Sequence, residues 1–410
     1  MLQQIEESEL LKIVGATLAR SPFYQKKFAG LDLSEFARLP FTTKRELLAD
    51  QELHPPFGSN LCVAPQEIVR IHRTSGTSNK PLLLTLTQKD IDVVTDIGAK
   101  LFGLCGMQKG EIVFNCLNYN MWMGGYTDHQ SMEKSGAGVI PFGTGNTDAL
   151  ISLMREIPNA SLHSTPSYLS VIKERLAQAG LTPKDLRLKN GFFAAEGGIQ
   201  NPEFRKKIED EWGIDAYNAN YGLSEVISIL GSECRAKTGL HFGALSALYI
   251  ELIDAQGDSL PIKEGSTGEL VITHLHKEAQ PLIRYRTGDL FEILSLQGCS
   301  CGFEGFQFAI RGRVDDMVVI KGVNFFPESL RSIIADFEEC SGLYKLFVSK
   351  QEPIEHLRVL IETKQNCVMS DQRARLIAKE IKSVLNVSAD LEFTPKLELG
   401  DNKIKILERV

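Results

Sequence analysis

Hydrophobic residues recur at helical spacing in three segments near the middle of the chain. The segments are TDALISLMREI from Thr147, PSYLSVIKERLAQAG from Pro166 and NPEFRKKIEDEWG from Asn201. The last two have a proline at or beside their start and end in glycine, as helices commonly do. Short apolar runs such as GVIPF and LKNGFFAAE lie beside these segments and predict buried strands. Helices that alternate with short buried strands indicate a layered α/β domain.

The pattern changes to strand-like alternation after about Ala244. The segments ALYIELIDAQGDSL, TGELVITHLH and DLFEILSL predict a β-rich subdomain over about 244–312. From about residue 313 the order becomes strand, helix, two strands, helix and strand, which is typical of a small α+β domain. The sequence therefore predicts an α/β plus α+β protein, with a large N-terminal layered α/β domain (1–312) and a small C-terminal α+β domain (313–410).

Composition narrows the classes of function. The net charge of −7 over 410 residues argues against general nucleic-acid binding, which needs a basic surface. No stretch approaches ~18 consecutive apolar residues, so no membrane span is expected. The N-terminus has no basic region ahead of an apolar one, so we expect no signal peptide and a cytoplasmic location. In that compartment we expect few or no disulfides among the eight cysteines.

The segment HRTSGTSNKPLLLT, residues 72–85, is rich in hydroxyl groups and glycine. Its spacing differs from the common phosphate loop, G-x-x-x-x-G-K-[ST], because no second glycine follows Gly76 before Lys80 and Pro81 comes next. Two interpretations are open. The segment is either a surface turn or an anion-binding loop whose hydroxyls and backbone N–H groups wrap a phosphate.

Four further segments favour the second interpretation, an anion-binding loop. They are NYGLSEV (220–226), LIRYRTGDL (282–290), RGRVDDMVVIKGVNFFP (311–327) and LELGDNKIK (397–405). In this order, with the hydroxyl-rich loop ahead of them, they resemble the adenylate-forming ligases. The closest resemblance is to the phenylacetate–CoA ligase family, through GVNFFP, TPSYL, GTGNT and the short chain. It extends from about residue 20 to the end.

The resemblance implies an enzyme that activates a small carboxylic acid with ATP. The acid attacks the α-phosphorus, pyrophosphate leaves, and the resulting acyl-adenylate passes its acyl group to CoA. ATP, Mg²⁺ and CoA are the implied ligands. Two alternatives stay open: delivery to a carrier-protein thiol or an amine in a natural-product pathway, and a nucleotide-binding protein that does not catalyse. Neither nucleic acid nor membrane is an expected partner, and a homodimer is compatible with the sequence.

The resemblance also assigns the nucleotide site residue by residue. The loop residues that would contact phosphates, with Thr77 counted as catalytic, are Thr74, Ser75, Gly76, Thr77, Ser78 and Lys80. The family usually has glycine before the lysine, where this chain has Asn79. The residues that would lie around the adenine are Glu196, Gly197, Tyr221, Gly222 and Ser224. Asp289 would accept hydrogen bonds from both ribose hydroxyls, because each carboxylate oxygen can accept one.

Charged residues complete the implied catalytic set. Glu225 is the candidate Mg²⁺ ligand, since Mg²⁺ prefers oxygen, and a solvated surface glutamate is the alternative. Arg313 would reach the ribose or the α-phosphate, or else form an interdomain salt bridge. Lys403 would bridge the carboxylate and the α-phosphate as charge develops, and Lys405 is the alternative because both face one side of a strand. Asp315 matches the hinge about which the C-terminal domain moves.

A second kind of metal site is suggested by cysteine spacing. Cys234 and His241 stand seven residues apart, and Cys299 and Cys301 form a Cys-x-Cys pair further on. Three thiolates and one imidazole make a complete tetrahedral zinc shell, which points to a structural ion. Some phenylacetate–CoA ligase relatives carry a similar arrangement. The alternative is three buried thiols and an unrelated histidine.

The acid pocket is implied by resemblance to lie between the loop and the adenine site. The aromatic residues expected in its wall are Trp122, Tyr126, Phe142 and Tyr168. Such a wall suits an aryl or related small acid. Asp128, His129 and His163 either read a polar substituent or serve as ordinary core and surface groups. The sequence does not name the acid.

Overall fold

The computed structural model describes residues 5–74, 81–316, 318–320, 323–351, 354–364, 367–398 and 406–409. The α-helices in these residues are α1 Glu7–Arg20, α2 Pro22–Lys27, α3 Lys44–Leu53, α4 Gln88–Leu104, α5 Met123–Lys134, α6 Thr147–Glu156, α7 Tyr168–Gln178, α8 Pro202–Trp212, α9 Ser329–Ala335 and α10 Asp371–Leu385. The strands are β1 Arg70–Arg73, β2 Leu83–Leu86, β3 Ile112–Asn115, β4 Gly138–Ile140, β5 Ser161–Ser164, β6 Asn190–Ala194, β7 Asp215–Leu223, β8 Ile227–Glu233, β9 Leu240–Phe242, β10 Leu248–Ile253, β11 Ser259–Leu260, β12 Thr267–His274, β13 Tyr285–Ser295, β14 Gln307–Arg313, β15 Val318–Ile320, β16 Val323–Phe325, β17 Cys340–Gln351, β18 Ile354–Thr363, β19 Asp390–Thr394 and β20 Leu407–Arg409.

Local sequence explains where several helices begin and end. The Asn201 side chain accepts a hydrogen bond from the backbone N–H of Phe204, and Pro202 takes the first helical position of α8. That helix ends at Trp212 and is followed by Gly213, whose φ of +69° lies in the left-handed region that favours glycine. α3 begins with a reciprocal capping box between Thr43 and Glu46. Side-chain caps therefore fix the starts of α3 and α8.

The chain folds into two compact units, and the first unit comprises Met1–Gly143 and Ala219–Ile310. Its largest sheet runs in the order β11-β10-β12-β13-β14-β9-β8-β7, where β7 contributes its residues from Ala219 onward. The strands β3 and β4 pair in parallel, and β1 and β2 form an antiparallel hairpin. Arg284, buried just before β13, forms an ion pair with Glu251 of β10. This unit carries the hairpin around the hydroxyl-rich loop and the predicted ribose aspartate.

The second unit comprises Thr144–Asn218 and Arg311–Val410. In its first segment β5 and β6 pair in parallel, with His163 opposite Phe192. In its second segment β15 and β16 form a hairpin, and a four-stranded sheet has the order β19-β18-β17-β20. The helices α9 and α10 pack with this sheet around a core that includes Leu330, Leu346 and Ile377.

The observed elements agree with the predicted fold class, a layered α/β part with a β-rich region and a small α+β part. The predicted order of elements after residue 313 is present except that two short strands, β15 and β16, stand where one strand was predicted, and β20 follows the last predicted strand. The predicted strand DLFEILSL is longer than expected, since β13 begins at Tyr285. The domain boundary at residue 313 stays a prediction. None of the helices in the described part of the chain combines the length and apolar character that a membrane span needs.

Candidate active site

The hydroxyl-rich loop is closed at its base by a pair of hydrogen bonds. The backbone N–H of Thr74 donates to the carbonyl of Leu82 over 2.9 Å, and the N–H of Leu82 donates to Thr74 Oγ1 over 3.0 Å. Thr74 is buried, and the hairpin of β1 and β2 brings these two residues together. The other predicted phosphate contacts, Ser75, Gly76, Thr77, Ser78 and Lys80, lie outside the described residues.

Two predicted nucleotide residues meet in the first unit. Tyr221 of β7 donates from its hydroxyl to Asp289 Oδ2 of β13 over 2.5 Å. Asp289 is buried, and its backbone N–H donates to Thr287 Oγ1. The Tyr221 ring meets Phe291 and Phe308 edge to face, with ring centres 5.4 and 5.7 Å apart. The contact between Tyr221 and Asp289 was not predicted from the sequence.

Gly222 lies near the end of the same strand, and Ser224 follows the strand directly. A Cβ atom on Gly222 would lie 2.2 Å from the carbonyl oxygen of Ser228, so only glycine fits between β7 and β8. Ser224 lies half-buried in the tight turn that joins the two strands, where the N–H of Val226 donates to the carbonyl of Leu223. The turn places Glu225 between β7 and β8.

Glu225 is a buried carboxylate with two partners from distant parts of the chain. Its Oε1 accepts a hydrogen bond from the Tyr285 hydroxyl over 2.8 Å and lies 3.4 Å from Lys44 Nζ. Burial alone would raise the pKa of Glu225, but the Lys44 charge and the hydrogen bond from Tyr285 hold that pKa below its usual value. The carboxylate is therefore ionised at neutral pH, as a metal ligand must be.

The backbone behind Glu225 is held by two further side chains that sequence reasoning missed. Lys277 Nζ donates to the carbonyl of Glu225 over 2.8 Å, and His274 Nε2 lies 3.0 Å from the carbonyl of Val226. His274 Nδ1 accepts from the N–H of Leu282, so the ring proton is on Nε2. Burial lowers the pKa of Lys277 to about 8, against the opposing effect of nearby carboxylates. Lysine and histidine thus fix the turn that carries Glu225.

The four predicted zinc ligands come together in the first unit. The ligand atoms of Cys234, His241, Cys299 and Cys301 all lie within 4.8 Å of one another. Cys234 Sγ is 3.8 Å from Cys299 Sγ, and Cys301 Sγ is 3.6 Å from His241 Nε2. Tetrahedral zinc with its usual bond lengths requires separations of ~3.8 Å between two sulfurs and ~3.6 Å between sulfur and nitrogen. The geometry therefore fits a zinc ion.

The surroundings of His241 also bear on whether these residues can hold a zinc ion. The amide nitrogen of Gln307 lies 3.3 Å from His241 Nε2, the ring nitrogen that faces Cys301. A metal ion at this nitrogen would take the place of that contact. His241 Nδ1 is buried and has no hydrogen-bond partner among the described residues. The second ring nitrogen thus has no partner in this part of the chain to fix its orientation.

Two groups of aromatic contacts lie beside the thiol cluster and beside Asp289, and the adjacent residues His241 and Phe242 of β9 join them. Phe303 meets the His241 ring edge to face, and Phe306 packs against both Phe242 and Phe308. Phe308 in turn stacks on Phe291 with ring centres 4.4 Å apart. Tyr221 rests on these last two rings, so the cluster and the ribose aspartate share one packed core.

The predicted acid-pocket residues of the first unit lie on and near α5. Trp122 is half-buried at the position before the helix, and Tyr126 follows one turn later with 43% of its surface exposed. The Arg70 guanidinium carbon lies 4.3 Å from the centre of the Tyr126 ring. Phe142 is half-buried after β4. Arg70 is a neighbour that sequence reasoning missed, because nothing in the sequence pairs β1 with α5.

The polar residues considered for this pocket have protein partners. Both oxygens of Asp128 accept from the Asn220 amide at 2.9 Å, and Asp128 is fully buried. His129 Nδ1 lies 3.0 Å from the Tyr119 hydroxyl. His163 Nδ1 lies 2.8 Å from the carbonyl of Phe192. These contacts agree with the interpretation of the three as ordinary structural groups.

The second unit holds the remaining predicted residues. Glu196 accepts hydrogen bonds from the N–H and the hydroxyl of Ser167, and Gly197 follows it. Tyr168 is buried, with its hydroxyl 3.2 Å from Thr147 Oγ1. Arg313 ends β14, and Asp315 lies in the turn Val314–Asp316. Lys403 and Lys405 lie outside the described residues.

Comparison with known proteins identifies the family. Residues 322–410 match the model of the AMP-binding enzyme C-terminal domain. The chain is 31% identical to a phenylacetate–coenzyme A ligase of Thermus thermophilus, covering 98% of this chain and 89% of the relative. It is 33% identical to a phenylacetate–coenzyme A ligase of Escherichia coli, covering 95% and 90%. The chain belongs to the phenylacetate–coenzyme A ligase family. This membership confirms the predicted family and the predicted class of enzyme, an AMP-forming acid–CoA ligase.

Solved structures extend the comparison of folds for this ligase-family chain. A 2-hydroxyisobutyryl-CoA ligase aligns with a TM-score of 0.88 at 23% identity, covering 98% of this chain and 88% of that one. An amide bond synthetase from Marinactinospora thermotolerans aligns with a TM-score of 0.56 at 12% identity, covering 83% and 68%. The predicted fold class is confirmed. Because proteins with different products share this fold, the fold alone names neither the acid nor the acceptor.

Proposed function

We propose that the protein activates an aryl or related small carboxylic acid with ATP and Mg²⁺ and transfers the acyl group to CoA. The products are AMP, pyrophosphate and an acyl-CoA thioester. The observation that carries the proposal is the match to phenylacetate–coenzyme A ligases over nearly the whole chain. The fully ionised acid needs no general base, because a carboxylate is already the nucleophile at neutral pH.

The nucleotide is proposed to be held through its sugar and phosphates. Asp289 would accept from both ribose hydroxyls, and its burial supports this role because a charge-assisted hydrogen bond is stronger away from water. Tyr221 would orient that carboxylate through its hydroxyl. The residues proposed by resemblance around the adenine and phosphates are Thr74, Ser75, Gly76, Thr77, Ser78, Lys80, Glu196, Gly197, Gly222, Ser224 and Arg313.

Glu225 is proposed to hold Mg²⁺, which supplies charge neutralisation at the phosphates when bound. The residues present fit this role, because the ionised carboxylate is fixed by Tyr285 on one side and its backbone by Lys277 on the other. Lys44 lies close enough to balance the carboxylate charge when the metal is absent.

Replacing Glu225 with glutamine is expected to raise the Mg²⁺ concentration needed for half-maximal activity by about tenfold to a hundredfold. The neutral amide keeps the size of the side chain but loses the charge that attracts the cation. Titration of Mg²⁺ at saturating ATP in the pyrophosphate assay measures the change. Glu9→Gln, which removes one charge from the exposed face of α1, is the matched control and should leave the titration unchanged. An unaltered Mg²⁺ requirement in Glu225→Gln would remove this residue from the metal site.

The cluster of Cys234, His241, Cys299 and Cys301 is proposed to hold a structural zinc ion. Two separations between its ligand atoms support this, since 3.8 Å between Cys234 Sγ and Cys299 Sγ and 3.6 Å between Cys301 Sγ and His241 Nε2 suit tetrahedral zinc, and all four ligand atoms lie within 4.8 Å of one another. A closed shell leaves no position for substrate, so the ion would stabilise the loop before β14 rather than take part in the reaction. Strand β9 would carry that stabilisation to Tyr221, because His241 is followed there by Phe242, which contacts Phe308 and through it Tyr221.

The acid is proposed to bind beside Trp122, Tyr126, Phe142 and Tyr168, and Asp315 to serve as the hinge of a mobile C-terminal domain. Transfer to a carrier-protein thiol or to an amine remains the alternative fate of the acyl group. The cytoplasmic location and the homodimer remain predictions from the sequence.

Acid-dependent release of pyrophosphate tests the proposed function. Purified protein is incubated with ATP, Mg²⁺ and a panel of aryl, aliphatic and amino acids, with and without CoA. We expect pyrophosphate release with an aryl or related small acid and a thioester product only with CoA. Adenylation without any response to CoA would favour a carrier protein or an amine. No release across the panel would contradict the proposal.

Lys403→Ala is expected to lower acid-dependent pyrophosphate release by at least about a hundredfold. Its ammonium group is proposed to stabilise charge that develops at the α-phosphate, and losing one such contact typically has an effect of this size. The matched control is Lys405→Ala, two residues further on, which should retain most of the activity. A reversed pair of results would assign the role to Lys405.

A further inference from the structure

The strand that leads into the hydroxyl-rich loop has two different faces. Arg70 and His72 point inward from β1, since alternate residues of a strand share a face, and His72 is only 4% exposed. Ile71, on the opposite face, is 43% exposed. None of the family motifs assigns a role to Arg70 or His72, and neither residue belongs to the proposed nucleotide site.

Both inward residues contact the segment that begins the acid pocket. His72 Nδ1 lies 3.2 Å from the carbonyl oxygen of Met121, and the backbone N–H of Arg73 donates to the same oxygen over 3.0 Å. Arg70 covers the ring of Tyr126, one turn into α5. One strand therefore holds the pocket segment at two points.

The carbonyl that His72 holds belongs to an unusual residue. Met121 has a φ of +62°, in the left-handed region that few residues other than glycine adopt. A carbonyl oxygen has two lone pairs, so it can accept from both His72 and Arg73. These two donors hold the backbone in that conformation immediately before Trp122. The direction of the Trp122 side chain therefore depends on them.

The protonation of His72 follows from its partner. Because a carbonyl oxygen only accepts, Nδ1 must carry the proton, and Nε2 is left as an acceptor. His72 Nε2 is buried without a hydrogen-bond partner in the part of the chain that the structure describes. Burial lowers the pKa of His72 to about 4, so the ring is neutral at neutral pH. Two roles can thus be separated: one acts through Nδ1 on the backbone, the other through Nε2 on a ligand.

We propose that His72 is a positioning residue that fixes Trp122 in the acid pocket through the carbonyl of Met121. The proposal rests on the proposed function, because Trp122 is assigned to the pocket there. It links the strand that enters the phosphate loop with the wall that contacts the acid. His72 touches neither substrate in this arrangement and acts only through the backbone.

Two amides distinguish the ring nitrogens. In His72→Asn the amide nitrogen can occupy the place of Nδ1, whereas in His72→Gln it can reach the place of Nε2. We expect His72→Ala and His72→Gln to raise the KM for the acid about five- to tenfold, the effect of one hydrogen bond. The KM for ATP should change less than twofold, and His72→Asn should stay near wild type. Rescue by glutamine and not by asparagine would overturn the proposal and assign Nε2 to the acid.

Tryptophan fluorescence tests whether His72 positions Trp122 and requires no activity assay. The chain has only two tryptophans, so Trp212→Phe leaves Trp122 as the single indole. In that background we expect His72→Ala and His72→Gln to increase acrylamide quenching of Trp122 fluorescence, and His72→Asn to leave it unchanged. Equal quenching in all the variants would overturn the proposal. Absence of acid-dependent pyrophosphate release in the wild type would contradict the proposed function, while quenching still decides the role of His72.

Met121→Gly supplies a second test that does not depend on the folding of one variant. Glycine adopts the left-handed conformation without the strain that a Cβ atom adds, so the two donors no longer have to oppose that strain. If His72 acts by holding this backbone, the effects of His72→Ala and Met121→Gly on the KM for the acid should be smaller together than their product. Independent, multiplicative effects would overturn the proposal.

Discussion

Replacing Asp289 with alanine is expected to lower kcat/KM for ATP about a thousandfold. Hydrogen bonds to charged groups contribute about 1.5–3 kcal/mol each, so the loss of two ribose contacts removes about 3–6 kcal/mol. Each 1.4 kcal/mol is a factor of ten in an equilibrium constant, which gives about a hundredfold to ten-thousandfold. Steady-state kinetics with varied ATP measures the change, and we expect the KM for the acid to change little.

Tyr221→Phe is the matched variant for Asp289. It removes the hydroxyl that donates to Asp289 Oδ2 but leaves the carboxylate and the aromatic contacts with Phe291 and Phe308. We expect a loss of about tenfold in kcat/KM for ATP, because the carboxylate is less well oriented but still present. In the double variant Tyr221→Phe should add little to Asp289→Ala, since the hydroxyl acts through the carboxylate. Effects on ATP that multiply fully, or a loss confined to the acid, would contradict this assignment.

Removal of zinc is expected to lower the midpoint of thermal unfolding by about 10 °C or more. Structural zinc sites in small peptides contribute about 10–16 kcal/mol to folding, and a third of that is enough for this shift at about 2–4 °C per kcal/mol. Without the ion, Cys234 and His241 remain buried but lose the metal that would bind all four ligands together. Purified protein should contain about one zinc per chain by mass spectrometry of the metal, and dialysis against a strong chelator should release it.

Cys234→Ser provides the genetic counterpart of zinc removal. Serine is a poor zinc ligand, so this variant should lose the metal and unfold at a lower temperature. Cys367→Ser, at an exposed thiol outside the cluster, is the control and should keep both properties. Because His241 adjoins Phe242 in β9, and Phe242 reaches Tyr221 through Phe308, we expect the zinc-free protein also to have a raised KM for ATP. A protein that binds no zinc when purified with zinc present would overturn the metal site.

The elements that sequence could predict are those with strong local signals. The helices α8 and α10 have side-chain caps and a regular apolar face, and both lie where the pattern predicts them. The start of β13 was missed for a physical reason. Its inward residues Thr287 and Asp289 are buried but polar, so the strand alternates in burial and not in hydrophobicity. The buried polar side chain of Asp289 helps to obscure β13 in the hydrophobic pattern. The same side chain is the one proposed to bind the ribose.

The site residues also divide into those that a sequence motif reveals and those that only the structure reveals. Motif residues such as Tyr221 and Asp289 could be named from the sequence, but their hydrogen bond could not, because it joins two strands far apart in the chain. Lys44 and His72 could not be named at all, since each acts through a partner that no local spacing reveals. The thiol cluster was predictable because cysteine and histidine are rare and their chemistry is specific.

The first unit is built from two segments of chain, and this affects its synthesis. Arg284 donates to the carbonyl groups of Ala37 and Leu39, which precede it by 247 and 245 residues. At about 5–20 residues per second, a ribosome needs about 12–50 s to add that length of chain. For that time Phe36 and Leu39, which pack with Leu275 and Ile283 in the finished protein, remain without these partners. The helices of residues 7–27 thus emerge well before the residues that complete their core, and that core can form only after Ile283 has been synthesised.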